Sequence, residues 1–479
     1  MAGLVRQVVR KETLELFRDG RLGVVLGLSL LLVTAALMFG WRDASRTARE
    51  RDAAQAASRE HWEGQGEKNP HVATHYGMWV FKPASALSAL DPGVSPNLGA
   101  ALKVEAHRQN LAVASSAEDS IGIQRFGALT AASVLQLLGP LVVAALGFAL
   151  WSSERERGTL RLLRSSGVSM SLLLRGKALG LALAVALTLV PAIVGAIAVV
   201  TSLDVDASAR SSGLRLAALA LGYGLYFALF MGLALTASAR AAESRSALLM
   251  LVGFWGVTAL VVPRLSAEVG ALVVPLPSQD GFAADVAASL EKGLPDEPPR
   301  EERVEAITRT LMAEQGFSDA DFLMDDALLQ GIELRAEAAW EDEVFEWHVT
   351  RLMDAMSRQE RVSQWLGALS PTLAIRSLSA ALAGTDFDHH RDFTAKAEVY
   401  RRALVDRLNQ DFAKNAGAAG WDYKAGRELW ETAPRFEYEL PPASWALTRQ
   451  WPALACLVAW ALLAAALAVR GAHRQKVFA

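Results

Sequence analysis

The chain has 479 residues, of which 52% are hydrophobic and 21% charged, with 48 Lys and Arg set against 51 Asp and Glu. A net charge of −3 averages over the whole chain and says little by itself, and no nucleic-acid partner is expected. The apolar residues are gathered into blocks rather than interleaved at period two or 3.6, which excludes an ordinary soluble domain and points to an all-α integral membrane protein.

Residues 1–21 read as a short basic amphipathic helix. Leu4, Val5, Val8 and Val9 supply its apolar side, and Arg6 and Arg10 lie one turn apart, with Lys11 and Arg18 further on. Such a helix lies in the membrane interface before the chain turns at Gly20. The first span follows at 22–41. Trp41-Arg42-Asp43 comes directly after it without a small-x-small cleavage pattern, so the segment reads as a retained anchor. An insert at 42–125 opens with a polar helical run from Arg42 to Glu60. From Asn69 to Gly99 it turns to Pro, Gly and aromatic residues, with one short strand expected at Met78 to Phe81. Pro70 and Gly77 argue there against a helix.

Further uncharged blocks, the third of them Leu216 to Ala239, give spans at 126–151, 178–203, 214–239, 246–263 and 450–469. Blocks of about 18 to 28 residues cross a hydrocarbon core of roughly 30 Å. Helices this long with no polar face are rare outside membranes. A connector at 152–177 joins the second and third spans, a short loop at 204–213 the third and fourth, and a loop at 240–245 the fourth and fifth. A second large insert occupies 264–449, and 470–479 form a tail. In that insert, Phe345, Val349, Leu352 and Met356 recur at 4-3-4 spacing, as do Phe393, Ala397, Tyr400 and Leu404, each giving one apolar helical stripe. Arg6, Arg10, Lys11, Arg18 and Arg21, the basic residues of the connector, Arg240, Arg245, Arg470, Arg474 and Lys476 all fall on one side if the spans alternate. The positive-inside rule makes that side cytoplasmic. Both termini are then cytoplasmic and both inserts extracytoplasmic, periplasmic in a bacterial inner membrane. The single cysteine, Cys456, rules out an intramolecular disulfide and reads as a small core residue.

The connector is the densest chemical feature. It runs Glu154-Arg155-Glu156-Arg157-Gly158-Thr159-Leu160-Arg161-Leu162-Leu163-Arg164. Ser153-x-x-Glu156 fits a capping box. Gly158 and Gly167 allow sharp turns, and Leu160, Leu162 and Leu163 form apolar ridges beside Arg161 and Arg164. The simpler interpretation is a loop charged only to fix topology. The functional interpretation is a docking surface for a soluble partner. No Gly-x-x-x-x-Gly-Lys-Ser/Thr is present, since Gly176-Lys177 is followed by Ala178 and lacks the upstream Gly. The chain is therefore not expected to be an enzyme by itself; ATP and Mg would bind a partner ATPase. No His-Glu-x-x-His occurs, and no expected span carries an ionisable residue in its interior, which weighs against a proton- or ion-coupled transporter acting alone. Gln136, Tyr223, Tyr226, Pro140 and Pro191 are the polar or irregular features within the bilayer, and packing is the simpler role for each.

His61, His71, His75 and His107 fall in the first insert, near Met78. Imidazole and thioether would suit copper. No complete ligand spacing appears, however, and turn or surface residues are the simpler interpretation. No metal is assigned.

The run from Glu154 to Gly167, followed by Leu172-Leu-Leu-Arg-Gly-Lys177, resembles the sequence after the second span of type-2 ABC transporter permeases. Their pattern is acidic-Arg-Glu-x-Gly-Thr-Leu, a run of Leu, a Ser-rich turn, then Gly-Lys. The basic amino-terminal helix and the six-span count match as well. The resemblance implies that the segment includes a coupling helix seated in a groove of a cytoplasmic ATPase, with Glu154, Arg155, Glu156, Arg157, Gly158, Thr159, Leu160, Arg161, Leu163, Arg164 and Gly167 as contact or shaping residues. It implies two permease chains, identical or related, paired with two ATPase subunits. His75-Tyr-Gly-Met-Trp-Val-Phe-Lys-Pro, Asp91-Pro-Gly-Val, Val104-Glu-Ala-His107, Pro275-Leu-Pro-Ser and Ala383-Gly-Thr-Asp are similar to a subfamily with large extracytoplasmic domains of unknown function. That subfamily is akin to the permease of the nitrous oxide reductase copper-assembly system. An ATP-driven exporter subunit is then expected. A membrane subunit that remodels a periplasmic protein or lipoprotein without moving cargo, and an ATPase-independent receptor or scaffold, stand as alternatives.

Overall fold

The computed structural model describes residues 2–112, 129–203, 209–315 and 326–475. The start of the second span at Phe126, the first half of the loop expected at 204–213 and the end of the tail lie outside them. Among the described residues, six helices are long and apolar enough to cross a membrane: Arg21–Glu63, Ala131–Glu156, Met170–Leu203, Ser211–Arg240, Ser244–Val273 and Trp451–His473. They are numbered here as spans one to six. The third begins at Met170 rather than Ala178, and the fifth runs past Pro263. Pro263 follows a π-helical turn at Val257–Val261, where its missing N–H opens no gap in a regular ladder.

Small residues set the closest approaches in the bundle, as expected where lipid supplies no hydrophobic drive between helices. A Cβ on Gly232 would meet Ala464 at 2.9 Å, joining spans four and six, and one on Gly147 would meet Ala234 at 2.7 Å, joining spans two and four. Gly176 and Gly180 form a G-x-x-x-G pair on span three, and the amino-terminal helix Ala2–Arg18 lies in that groove. A Cβ on Gly176 would meet Val8 at 2.4 Å. Gly20, with φ 78°, makes the turn into span one. Replacing Gly176 with Val should cost about 1–3 kcal/mol, and limited proteolysis should then cut the amino-terminal helix first.

Span one is a single helix of 43 residues, about 65 Å long at 1.5 Å per residue. Its far half leaves the bundle and joins both inserts. The two inserts share one core, in which Trp62, Met78, Val80, Leu102 and Val104 from the first pack on Phe393, Ala397, Leu404, Leu408 and Trp430 from the second. Trp62 Nε1 donates to the Trp430 carbonyl at 3.1 Å. The expected single strand is one of three: β1 (Met78–Phe81), β2 (Ala101–Glu105) and β3 (Arg108–Gln109) form an antiparallel sheet. Met78 faces Val104 and Phe81 faces Ala101, so one face of β1 enters the shared core.

A helix does form at Pro70–Tyr76. Pro70 sits at its first turn, where no N–H is needed, and the Asn69 side chain accepts from the His71 N–H at 2.9 Å. Gly77, with φ 59°, closes the other end. Pro70 and Gly77 thus bound a helix rather than forbid one.

The second insert does not stay clear of the bundle. Its helix Pro371–Ala383 places Ile375, Leu378 and Leu382 in the same core as Tyr223, Tyr226 and Phe230 of span four. Arg215, 1% exposed, donates to the carbonyls of Ala381 and Leu382 at 3.3 and 2.9 Å and to that of Pro441. A cation at a helix C-terminus answers its orphan carbonyls and its dipole. Gln136 donates to Tyr223 Oη at 2.9 Å, and Tyr226 Oη donates to the Gln136 carbonyl at 2.7 Å. That carbonyl lies in a π-helical turn, Val134–Leu138. Ser379 donates to the buried Asp91 carboxyl, which burial holds above the usual carboxylate range. These polar groups satisfy one another, in keeping with a packing role.

Candidate functional site: the connector

The second span ends in a short helix, Ser152–Glu156, followed by Gly158 at φ 73° and a second helix, Thr159–Ser165. Gly167, at φ 79°, turns the chain towards span three. Both glycines occupy the left-handed region, which residues with a Cβ enter at a cost.

The expected capping box does not form. Ser153 Oγ donates to the Ala149 carbonyl at 2.6 Å. Glu156 instead accepts from the Ser244 N–H and Oγ, placing its negative charge at the start of span five. The Ser152 hydroxyl meets Ser244 Oγ at 2.8 Å, and Ser238 Oγ accepts from the Trp151 N–H at 2.8 Å. Tertiary partners thus replace the local cap.

Glu154 is 4% exposed and lies between two ammonium groups, Lys11 at 2.5 Å and Lys177 at 3.0 Å. Lys177 is fully buried. It also reaches Glu12 at 2.7 Å and the Leu150 carbonyl at 2.6 Å. Burial works against the Lys11 charge, but Glu12 and Glu154 outweigh it and hold its pKa above the usual lysine range. This four-residue cluster ties the amino-terminal helix, the connector and span three together. Lys177 shows that an ionisable residue does sit inside a span helix, in a fully paired setting.

Arg155 donates to the carbonyls of Ser238 at 2.8 Å, Ala239 at 3.0 Å and Ala241, which end span four, and to Gln475 Oε1 at 2.6 Å. Arg164 donates to the Gln475 carbonyl at 3.2 Å. Gln475, just past span six, in turn donates to Ala239 at 2.8 Å. Thr159 Oγ1 donates to the Glu154 carbonyl at 3.2 Å, and Leu160 is buried.

The expected contact residues therefore divide into two sets. Glu154, Arg155, Glu156, Thr159 and Leu160 act within the chain, and Leu163 is half-buried. Arg157, Gly158, Arg161, Arg164 and Gly167 are exposed. Among them stands Leu162, 67% exposed, an apolar residue on the same short helix as Arg161 and Arg164. Its place on the helix follows from Gly158 as helix start. On the amino-terminal helix, Arg6, Arg10 and Arg18 are exposed, with Leu4 and Phe17, while Lys11 belongs to the buried cluster.

The expected metal candidates also divide. His61 is exposed on the helix of span one. Met78 is buried in the shared core, where Tyr400 Oη donates to its sulfur at 3.2 Å. His71, His75 and His107 come together, with ligand atoms within 4.8 Å of one another.

A comparison with curated proteins finds no match. The family model described as ABC-2 family transporter protein matches residues 6–476, which takes in the amino-terminal helix, all six spans, the connector and both inserts. With its six apolar helices around a charged connector, the chain belongs to the ABC-2 family of transporter membrane proteins.

Proposed function

We propose that this permease subunit carries force from a separate ATPase, through the connector, into its spans and the module built from both inserts. The observation that carries this reading is the form of the connector. The helix Thr159–Ser165 offers Arg161 and Leu162 outward, with Arg157 exposed just before it and Arg164 exposed beside its bond to Gln475. Behind it, Glu154 grips the amino-terminal helix and span three, Arg155 grips spans four and six, and Glu156 grips span five. A push on the exposed face would then move five spans as a unit. An exposed Leu on a helix with exposed Arg suits a hydrophobic groove with an acidic rim. The arrangement fits a cytoplasmic connector, two such chains and two ATPases that bind ATP and Mg.

Leu162→Asp should lower co-purification of the ATPase by about tenfold or more, because it sets a carboxylate against an apolar pocket. Its melting temperature should stay within about 2 °C of the parent, as expected for an exposed site. Unchanged co-purification would overturn the proposal.

Export of a cargo is the first outcome of such strokes. Remodelling of a periplasmic protein or lipoprotein is the second, and the module that joins both inserts to span one favours it. ATP hydrolysis by the reconstituted complex without cargo movement would decide for the second.

A further inference from the structure

A histidine cluster in the module of the two inserts lies away from the coupling face. His71 and His75 are one turn apart on the helix Pro70–Tyr76, and their ring centroids are 5.1 Å apart. His107 lies in the β2–β3 turn with φ 65°, a left-handed conformation that His enters more readily than most residues. Its ring lies 5.5 Å from that of His71 and 4.8 Å from that of His75.

We propose that His71, His75 and His107 form a binding site for one divalent transition-metal ion of the zinc or copper(II) class.

The hydrogen bonds behind the rings carry the argument. His71 Nδ1 faces Asn409 Oδ1 at 3.0 Å, and His107 Nδ1 faces the Glu341 carboxylate at 2.8 Å. The Asn409 oxygen and the Glu341 carboxylate accept, so in the neutral rings Nδ1 carries the proton and Nε2 keeps a lone pair for the ion. This acceptor–imidazole arrangement orients histidine ligands and raises their basicity in metal sites. His75 has no hydrogen-bond partner among the described residues. It lies on the exposed side, and His107 is half-buried. Three neutral imidazoles suit zinc, copper(II) or nickel, whereas copper(I) prefers sulfur. The Met78 thioether is turned into the core and engaged by Tyr400.

The geometry needs little change. Bonds of about 2.0–2.1 Å place tetrahedral ligand nitrogens roughly 3.3 Å apart, against the present spread of at most 4.8 Å. Side-chain rotation can close that gap. Three protein ligands leave one position for water or an exchanging group, the pattern of reactive or transfer sites rather than closed structural ones. The ligands all come from the first insert, while Asn409 and Glu341 come from the second. A bound ion would therefore be held by the first insert, with the second insert orienting two of its ligands.

The full chain, purified in detergent, freed of any affinity tag and dialysed against chelator, should be titrated with Zn²⁺ alone and with Cu²⁺ alone. At least one ion should bind at one equivalent per chain. His75→Ala and His107→Ala should each weaken it by about 100-fold, and Glu341→Gln by about 10- to 100-fold. His61→Ala should change nothing. His75 is exposed, so the metal-free melting temperature of His75→Ala should match the parent. The electron paramagnetic resonance spectrum of the Cu²⁺-loaded parent, which needs no variant, should show coupling to imidazole nitrogens. Failure of both ions to bind at one equivalent, parental affinity in His75→Ala, or a copper spectrum without imidazole coupling would overturn the proposal. None of these outcomes bears on the connector.

Discussion

Lys177→Met should lower the stability of the folded chain by about 3–5 kcal/mol, the range for removing one partner from a buried ion pair. The ammonium is fully buried and bonds Glu12, Glu154 and the Leu150 carbonyl. Without it, two buried carboxylates share Lys11 alone, and the Leu150 carbonyl loses a donor. Methionine fills the volume but answers none of these groups. Thermal unfolding in detergent, followed by size-exclusion chromatography, measures the loss. The double variant Glu154→Gln/Lys177→Met should lose less than the sum of its parts, because the groups are in direct contact. A loss below about 1 kcal/mol would place the cluster among ordinary solvated ion pairs. Leu162→Asp, on the exposed side of the same connector, separates binding from folding: it should keep the fold and lose the partner.

Arg215→Met should cost about 3 kcal/mol, since the carbonyls of Ala381, Leu382 and Pro441 lose a charged donor in a buried setting. The guanidinium joins span four to the end of the helix Pro371–Ala383 and to the Pro441 carbonyl. The loss should be local. Hydrogen exchange should rise across 371–383, which would lose its anchor, while the connector stays protected. Lys in place of Arg should recover part of the effect, because it keeps the charge without the fork that reaches several carbonyls. Uniform exchange across the chain would show that the residue supports the whole bundle rather than this helix.

The spans were legible because a bilayer admits only long uncharged runs, and the connector because charge cannot stay in lipid. What the connector residues touch was not legible. Arg155 meets Ala239 and Gln475, and Glu156 meets Ser244, all partners that only the folded bundle brings near. The local Ser153–Glu156 cap lost to them. Pro70 and Gly77 misled because each was weighed as a breaker; together they are the start and stop of one short helix. Once that helix exists, His71 and His75 share a face. His107 joins them only through pairing of β2 with β3, which no spacing announces. Met78 lies in the shared core because strand alternation turns it inward.

The unbroken first span joins the two ends of the molecule like a shaft. Each helical residue advances 1.5 Å and turns about 100°, and no hinge interrupts Arg21–Glu63. Trp62 enters its socket beside Trp430 only when the count from the bundle is right. The number of residues in the shaft therefore sets how the insert module is clocked about the axis.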